Sequence, residues 1–310
     1  MEIEAFINRV AKSHKHLSKW AKREKLDAYR IYDRDMPEFP FAVDRYGDHL
    51  HVQQFERKRE FSDELLPTIV DGLAERLQLE PNAIALKTRK RQRGLEQYEK
   101  EAQNYDSFLV QERDLLFEVN MQRYLDTGLF LDHRNTRELV RNKVAGKHFL
   151  NLFAYTGSFT VYAASGGAAS TLTTDLSNTY QEWSKRNLAH NKLDDAQKHQ
   201  FIQGDTLVVL QQLAAKKQLF DIIVLDPPSF SNSSRMHNTF DVQRDQISLL
   251  RDTLSLLSPG GELYFSNNRK GFKLDDAIHS MATVEDISHK SVPQDFKRHQ
   301  PHQCWILHKD

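Results

Sequence analysis

Apolar and polar positions change their rhythm along the chain. Over residues 3–25 the apolar side chains recur at helical spacing, with Phe6, Val10, Leu17 and Trp20 near one face and basic residues on the other. Three strand-like runs follow, AYRIYD (28–33), FAVDRY (41–46) and LHVQQF (50–55), separated by turns containing Pro or Gly. Gly47-Asp48 reads as a hairpin connection. A helix is expected from Ser62 to about Leu77, with Ser62 as its cap and Glu64 in its first turn. AIALKTR (83–89) is a further strand. These elements predict an α+β module over residues 1–104. Residues 94–106 are polar and read as a linker.

A second domain, residues 105–310, opens with the hairpin SFLVQERDLLFEVN (107–120), turning at Glu112–Asp114. YLDTGLFLDHRNTRELV (124–140) leads into a helix. From Lys147 onward strands and helices alternate. The strands are HFLNLF (148–153), ASTLTT (169–174), KHQFIQG (198–204), FDIIVLD (220–226) and GELYFS (261–266). The helices begin near Ser158, Ser177, Thr206 and Val242. Repeated strand–helix order predicts an α/β fold with a parallel, doubly wound sheet. The loop joining VEDISHKS (284–291) to CWILHK (304–309) is too short for a parallel crossover, so an antiparallel hairpin is expected at one sheet edge.

The composition, 39% hydrophobic and 28% charged, is that of a soluble globular protein. No apolar run approaches the roughly 20 residues that span a bilayer, and the charged N-terminus lacks the apolar core of a signal peptide. The single cysteine, Cys304, excludes a disulfide framework and a Cys-rich zinc site, so no metal and a cytoplasmic setting are expected. The 43 basic and 43 acidic residues balance overall but not locally. Residues 1–30 hold eight Lys/Arg against four Asp/Glu. KTRKRQR (87–93) places Lys87, Arg89, Lys90, Arg91 and Arg93 together with no acid, a pattern that favours contact with a polyanion.

In a doubly wound sheet the ligand lies beyond the carboxyl ends of the strands. After the first parallel strand stands Ala154-Tyr155-Thr156-Gly157-Ser158. A dinucleotide site would carry G-x-G-x-x-G here, and only one glycine is present, which suits a ligand without phosphate. Gly157 is expected to let the backbone come close to that ligand. Asp175 follows the second strand, where an acid can accept from ribose hydroxyls of either NAD or S-adenosylmethionine. Asp205 follows the third, where it could meet an adenine amino group or simply cap a helix. Asp226-Pro227-Pro228-Ser229-Phe230 follows the fourth and is the most specific signal. Two prolines fix the backbone and remove two amide donors, and Phe230 offers a flat face. Acceptors beside an aromatic plate are what a base flipped from its stack requires.

NLFAYTGSFTVYAA, TTDLSNTYQEWSKRNLAHN, DPPSFSNS, FDVQRD and FSNNRKGF together resemble one family. It is the guanine-N7 methyltransferase half of the ribosomal RNA large subunit methyltransferases K/L. The resemblance extends over nearly the whole chain. It implies a class I S-adenosylmethionine-dependent methyltransferase with a Rossmann-like sheet, an antiparallel edge hairpin and a small α+β RNA-binding domain in front. It implies that Asn151, Phe153, Tyr155, Thr156, Gly157 and Ser158 line the methionine moiety. Asp175 and Leu176 would sit at the ribose, and Asp205 and Thr206 at the adenine. Asp132 and Arg134, in GLFLDHR, would lie over the cofactor. Asp226 would border the cofactor and, with Pro227, Pro228 and Phe230, frame the target base. Large-subunit ribosomal RNA is the implied partner. In that family the K half is commonly fused behind a guanine-N2 methyltransferase half, so such a half, fused or separate, is an expected partner too.

The chemistry is compatible with that resemblance. Methylation at pyrimidine C5 needs a covalent thiolate, yet Ser266-Asn267-Asn268 stands where related C5 enzymes place a cysteine. Guanine N7 carries its lone pair in the ring plane and no proton. It needs alignment, with Asp226 accepting from the Watson–Crick edge and Asn267 or Asn268 donating to O6. Guanine N2 or cytosine C5 remain rival targets, and a non-catalytic RNA-binding assembly factor is a rival of another class. An NAD-dependent dehydrogenase is disfavoured by the missing glycines and the DPPSF loop.

Overall fold

The computed structural model describes residues 3–55, 62–89, 107–124, 126–231 and 239–309. The chain divides into two compact units. The first comprises residues 1–131 and 294–299, the second residues 132–293 and 300–310. The hairpin at 108–119 therefore counts with the first unit, whereas the linker-based division places it in the second. Among the described residues no helix is long and apolar enough to cross a membrane.

In the first unit, helix α1 (Ile3–Glu24) covers a four-stranded sheet of β1 (Ala28–Asp33), β2 (Phe41–Tyr46), β3 (His49–Phe55) and β4 (Ile84–Arg89). The first three strands are antiparallel, and β4 joins β3 in parallel through helix α2 (Leu66–Leu77). The buried face of α1 supplies Phe6 and Val10, and Phe6 is fully buried. Its ring stacks on Phe39 at 4.7 Å and meets the edge of Tyr32 at 4.9 Å. Lys12, Lys15, Lys19, Lys22 and Arg23 are exposed along the same helix. Arg30 grips Asp44 with two nitrogens, at 2.7 and 2.9 Å, and reaches Asp33 at 3.1 Å. Its guanidinium also lies over the ring of Phe296, 4.4 Å from the centroid. The expected Ser62 cap is absent: Ser62 precedes a single 3-10 turn and its side chain makes no capping bond. Pro67 then starts the α-helix, because a missing amide costs nothing in the first turn. Hairpin β5 (Phe108–Glu112)–β6 (Leu115–Val119) forms as read.

The second unit is an α/β sheet in the order β14-β15-β13-β10-β7-β8-β9. After α3 (Arg134–Arg141) come β7 (His148–Leu152), α4 (Ser158–Ser165), β8 (Ser170–Asp175), α5 (Asn178–His190), β9 (His199–Gln203), α6 (Thr206–Ala215) and β10 (Phe220–Leu225). A two-residue pair, β11 (Phe230–Ser231) and β12 (Phe240–Asp241), precedes α7 (Val242–Ser255) and β13 (Leu257–Asn267). Strands β13, β10, β7, β8 and β9 are mutually parallel. The expected edge hairpin is present: β14 (Thr283–Asp286) pairs antiparallel with β15 (Gln303–His308), which pairs antiparallel with β13. Helix α8 (Ser288–Ser291) lies between them in the chain. Strand β13 begins four residues earlier than read because the run through Gly260 and Gly261 bulges within the strand. Gly260 has a φ of 71°, and a Cβ at Gly261 would stand 2.9 Å from the carbonyl of Asp221. The core gathers Leu150, Leu152, Ile223, Leu225, Leu263 and Phe265 from the central strands.

The aromatic knot under α1 yields a stability prediction. Phe6→Ala removes a fully buried ring that packs on Tyr32, Phe39 and Phe41, and should cost about 3–5 kcal/mol. Chemical denaturation measures this, and a loss below about 1 kcal/mol would show that α1 is not anchored there.

Candidate active site

Strand β7 continues toward β8 on one side, and β10 lies on its other side. The crevice between their carboxyl ends is the switch point of the sheet. The turn leaving β7 is contorted. Phe153 and Tyr155 both adopt left-handed backbone conformations, with φ of 54° and 52°, and Gly157 follows at 72°. For the two bulky residues this is a strained state. The glycine has a local cause as well: a Cβ there would stand 2.2 Å from Ser184 Oγ on α5. Gly157 thus admits the neighbouring helix, a packing role beside the close approach to a ligand expected from the sequence.

The turn is fixed to Asp175. Its Oδ2 accepts from the amide of Tyr155 at 2.8 Å, and its Oδ1 accepts from that of Ser177 at 2.8 Å. Burial pushes its carboxyl up to about 6, against the pull of the amides of Ser177, Tyr155 and Leu176. Three amides thus hold this carboxylate, from its own turn and from the turn after β7. Leu176 presents its carbonyl to Gln203 at 3.4 Å. Asp205 caps α6, accepting from the amide of Leu207 at 3.0 Å, and Thr206 is buried behind it. Asn151 is buried and donates to Thr160 at 3.0 Å, so its amide serves packing beneath α4. Thr156 is buried, its carbonyl accepting from Asn187 at 2.9 Å, and Ser158 opens α4. Phe153 packs on Phe240 at 5.9 Å, and Tyr155 meets Tyr180 at 4.5 Å.

On the other side of the crevice, β10 ends in Asp226. Ser266 Oγ, at the end of β13, donates to its Oδ1 at 2.7 Å, and His133 Nε2 lies 3.4 Å from its Oδ2. The DPPSF loop is tied a second time, where Ser229 Oγ donates to Asn268 Oδ1 at 2.7 Å. Pro227 is buried, Pro228 is exposed, and the ring of Phe230 is 54% exposed. Asn267 and Asn268 part company. Asn268 is exposed, and its Oδ1 accepts from Ser229. Asn267 is buried, with Oδ1 accepting from Arg269 at 3.1 Å. Asn267 Nδ2 is buried without a hydrogen-bond partner among the described residues.

Two motifs far apart in sequence also meet. Arg269 donates to Asp241, which itself caps α7 by accepting from the amides of Gln243 and Arg244 at 2.9 and 3.0 Å. Gln246 accepts from the amide of Asp275 at 2.9 Å, holding the loop after β13 on α7.

The segment GLFLDHR brings three groups together that sequence reading took only in part. Asp132 Oδ2 accepts from His302 Nδ1 at 2.9 Å, so it is not a helix cap. His133 stacks on His302 with centroids 4.3 Å apart and planes 10° from parallel. Burial holds the His133 imidazole below its ordinary value, against the pull of Asp226. Arg134 is buried at the start of α3. Asp132, His133 and His302 each bring one ligand atom within 4.8 Å of the others, a spacing a metal ion could use. The His302 nitrogens are engaged with Asp132 and Ser291, so a hydrogen-bonded cluster already accounts for that spacing. His133, Ser266 and His302 were missed in the sequence. The signal for Ser266 was its place one strand over from Asp226; His302 gave none.

Cys304 is fully buried on β15 opposite Ser266, and burial together with nearby Asp226 pushes its thiol well above the usual range. It packs against the core beside Phe149 and Tyr264. Of the basic cluster, Lys87 donates to the carbonyl of Gln122 at 2.6 Å and Arg89 ends β4. Lys90, Arg91 and Arg93 lie outside the described residues.

Comparisons with known proteins agree with this architecture. Residues 82–299 match the family model described as S-adenosylmethionine-dependent methyltransferase. Ribosomal RNA large subunit methyltransferase K of Neisseria meningitidis serogroup B is 49% identical over 99% of this chain and 88% of its own length. Ribosomal RNA large subunit methyltransferase K/L of Vibrio cholerae serotype O1 is 45% identical over 97% of this chain, which spans 43% of that longer protein. A solved Streptococcus mutans structure described as a SAM-dependent methyltransferase superposes with a TM-score of 0.79 at 25% identity, over 99% of this chain and 81% of its own. The chain belongs to the S-adenosylmethionine-dependent methyltransferases, in the group that contains the ribosomal RNA large subunit methyltransferases K and K/L.

Proposed function

We propose that this protein methylates guanine at N7 in large-subunit ribosomal RNA, in the cytoplasm, and that residues 1–104 form its RNA-binding module. One observation carries the reading. Asp226 is a carboxylate held at the switch point by Ser266 and His133, beside the exposed Phe230 ring and Asn268, while the sole thiol is buried in the core. When bound, S-adenosylmethionine supplies an electrophilic methyl group. Asp175 would accept from its ribose, and the turn after β7 would hold its amino-acid end. Asp226 accepts from guanine N1–H and the 2-amino group, Asn268 donates to O6, and Phe230 stacks on the base. N7 carries no proton, so no residue has to act as a base. The relationship to ribosomal RNA large subunit methyltransferases supports the ribosomal substrate. The exposed cations of α1 and the KTRKRQR run support a phosphate-contacting face on the first unit. A guanine-N2 methyltransferase half, fused or separate, is the partner proposed by analogy with K/L proteins. Nucleoside mass spectrometry of ribosomal RNA incubated with the protein and labelled methyl donor tests the reading. 7-Methylguanosine supports it; N2-methylguanosine or 5-methylcytidine would replace it.

Asp175→Ala should weaken S-adenosylmethionine binding by about 1.5–3 kcal/mol, as read by calorimetry. Unchanged affinity would remove Asp175 from the ribose site. The same group sets a pH dependence. Its folded carboxyl titrates near 6 instead of 3.8, so it is neutral below that value and an anion above it. The acceptor form grows in as pH rises, and affinity should climb from about pH 5 to about pH 7.5 and then level off. In Asp175→Asn that climb should vanish.

Cys304→Ser should keep its activity, because N7 is its own nucleophile. Asp226→Ala should stay folded and lose most single-turnover methyl transfer at saturating donor. It leaves guanine donors unpaired in a desolvated site, at roughly 1–3 kcal/mol for each. Loss of activity in a folded Cys304→Ser variant would point instead to covalent C5 chemistry.

Replacing Lys12, Lys15, Lys19 and Lys22 with Gln should weaken RNA binding and leave donor binding intact. The slope of log affinity against log salt should fall by up to about 0.7–0.9 per lost phosphate contact. An unmoved slope would make this face of α1 a solvated surface only.

A further inference from the structure

The two oxygens of Asp226 are held unequally. Ser266 donates a short hydrogen bond to Oδ1 at 2.7 Å, from the adjacent strand end. Oδ2 has His133 Nε2 3.4 Å away, a charge contact without a formed hydrogen bond, and the same nitrogen lies 3.9 Å from Asp132 Oδ2. Catalytic hydrogen bonds are often long before substrate arrives and tighten in the complex. We propose that His133 is a positioning residue for methyl transfer: its Nε2–H fixes the plane of the Asp226 carboxylate, so that one lone pair of each oxygen faces the target base. This rests on Asp226 being the acceptor for that base.

The surroundings of His133 leave its ring little freedom. One face lies against His302, 4.3 Å away and 10° from parallel. The edge of Phe159 closes on it with centroids 5.8 Å apart. His302 is itself fixed at both nitrogens, by Asp132 Oδ2 at 2.9 Å and Ser291 Oγ at 2.9 Å. The ring of His133 is therefore oriented by a stack whose other member is clamped. The charged or titratable groups around it are Asp226, His302, Asp132 and Arg137.

The tautomer follows from the contacts. A nitrogen facing a carboxylate must carry the proton, so Nε2 is the donor. Nδ1 is then a buried acceptor with no hydrogen-bond partner among the described residues. Protonating Nδ1 would make it a buried, unpartnered charged donor, a costlier state than the neutral one. A neutral imidazole with a single useful N–H is a directional clamp: it orients the carboxylate without competing as a second full charge. It touches neither base nor methyl group, and so acts through Asp226.

Three variants test this by single-turnover methyl transfer to ribosomal RNA at saturating S-adenosylmethionine, with donor affinity from calorimetry and the fold from thermal melting. His133→Gln keeps an N–H at about the reach of Nε2. His133→Leu keeps bulk and removes the donor. His133→Asn keeps an amide but falls short of Asp226, and stands in if His133→Leu does not fold. Expected are a rate within about threefold of wild type for His133→Gln, and a fall of about ten- to a hundredfold for the other two, with donor affinity unchanged. In an Asp226→Ala background the His133 variants should have no further effect, because the clamp then has nothing to hold. A merely structural histidine would instead lower the melting temperature and donor affinity together and add to Asp226→Ala. Equal rates for His133→Gln and His133→Leu, or additive losses with Asp226→Ala, would overturn the proposal. The methylated nucleoside formed by wild type is read in parallel. A product other than 7-methylguanosine refutes the substrate reading, whereas intact product with additive losses refutes only the clamp.

Discussion

The second unit depends on one topological constraint, the divergence of the chain on either side of β7. Strands β8 and β9 lie on one side and β10 and β13 on the other, so the loops that leave the central strands turn away from each other. Side chains at these strand ends border the crevice, where a doubly wound sheet binds its ligand. Three acids occupy equivalent places, at the ends of β8, β9 and β10, yet their surroundings differ. Asp175 is held by backbone amides, Asp205 caps its own helix, and Asp226 is held by side chains from β13 and from the segment before α3. Only the last arrangement needs three distant parts of the chain to meet.

That difference explains what could be read from the sequence. Local physics was legible: the strand runs, the starts of α4, α5, α6 and α7, the edge hairpin and the rigid DPPSF turn all follow from periodicity, turn residues and proline. Where several outcomes share one local pattern, the sequence did not choose among them. Ser62 had the composition of a cap and does not cap. Gly157 had the look of a ligand-binding glycine, and its missing Cβ makes room for Ser184. Asn151 and Asn267 sit at strand ends that border the crevice, but both side chains are buried. A strand alternates its faces, and an ambiguous polar residue at its last position gives no sign of which face it takes. The His133–His302 stack was beyond reach, because the groups that fix it, Asp132 and His302, lie 170 residues apart.

The fate of the single cysteine bears on the chemistry more strongly than its rarity does. Cys304 faces the same strand as Ser266, but its thiol is enclosed by Phe149 and Tyr264 and its ionisation is opposed both by burial and by the field of Asp226. The carboxylate that would align a base therefore also disfavours the thiolate that a covalent route would need. A site with a fixed acceptor and a suppressed nucleophile is suited to a target that brings its own lone pair.

The imperfections of the second unit gather where that alignment would occur. Phe153 and Tyr155 hold left-handed backbone conformations at the end of β7, away from any helix terminus that would account for them. Nδ1 of His133 and Nδ2 of Asn267 are buried without hydrogen-bond partners among the described residues, and both border the strand ends around Asp226. A fold selected only for stability would shed such features, since each costs on the order of 1–3 kcal/mol. The core beneath them, from Leu150 to Phe265, shows how well the same sheet packs when nothing else is required of it. The left-handed turn after β7 and these two unpaired nitrogens lie at the carboxyl ends of the parallel strands, the side on which a doubly wound sheet binds its ligand.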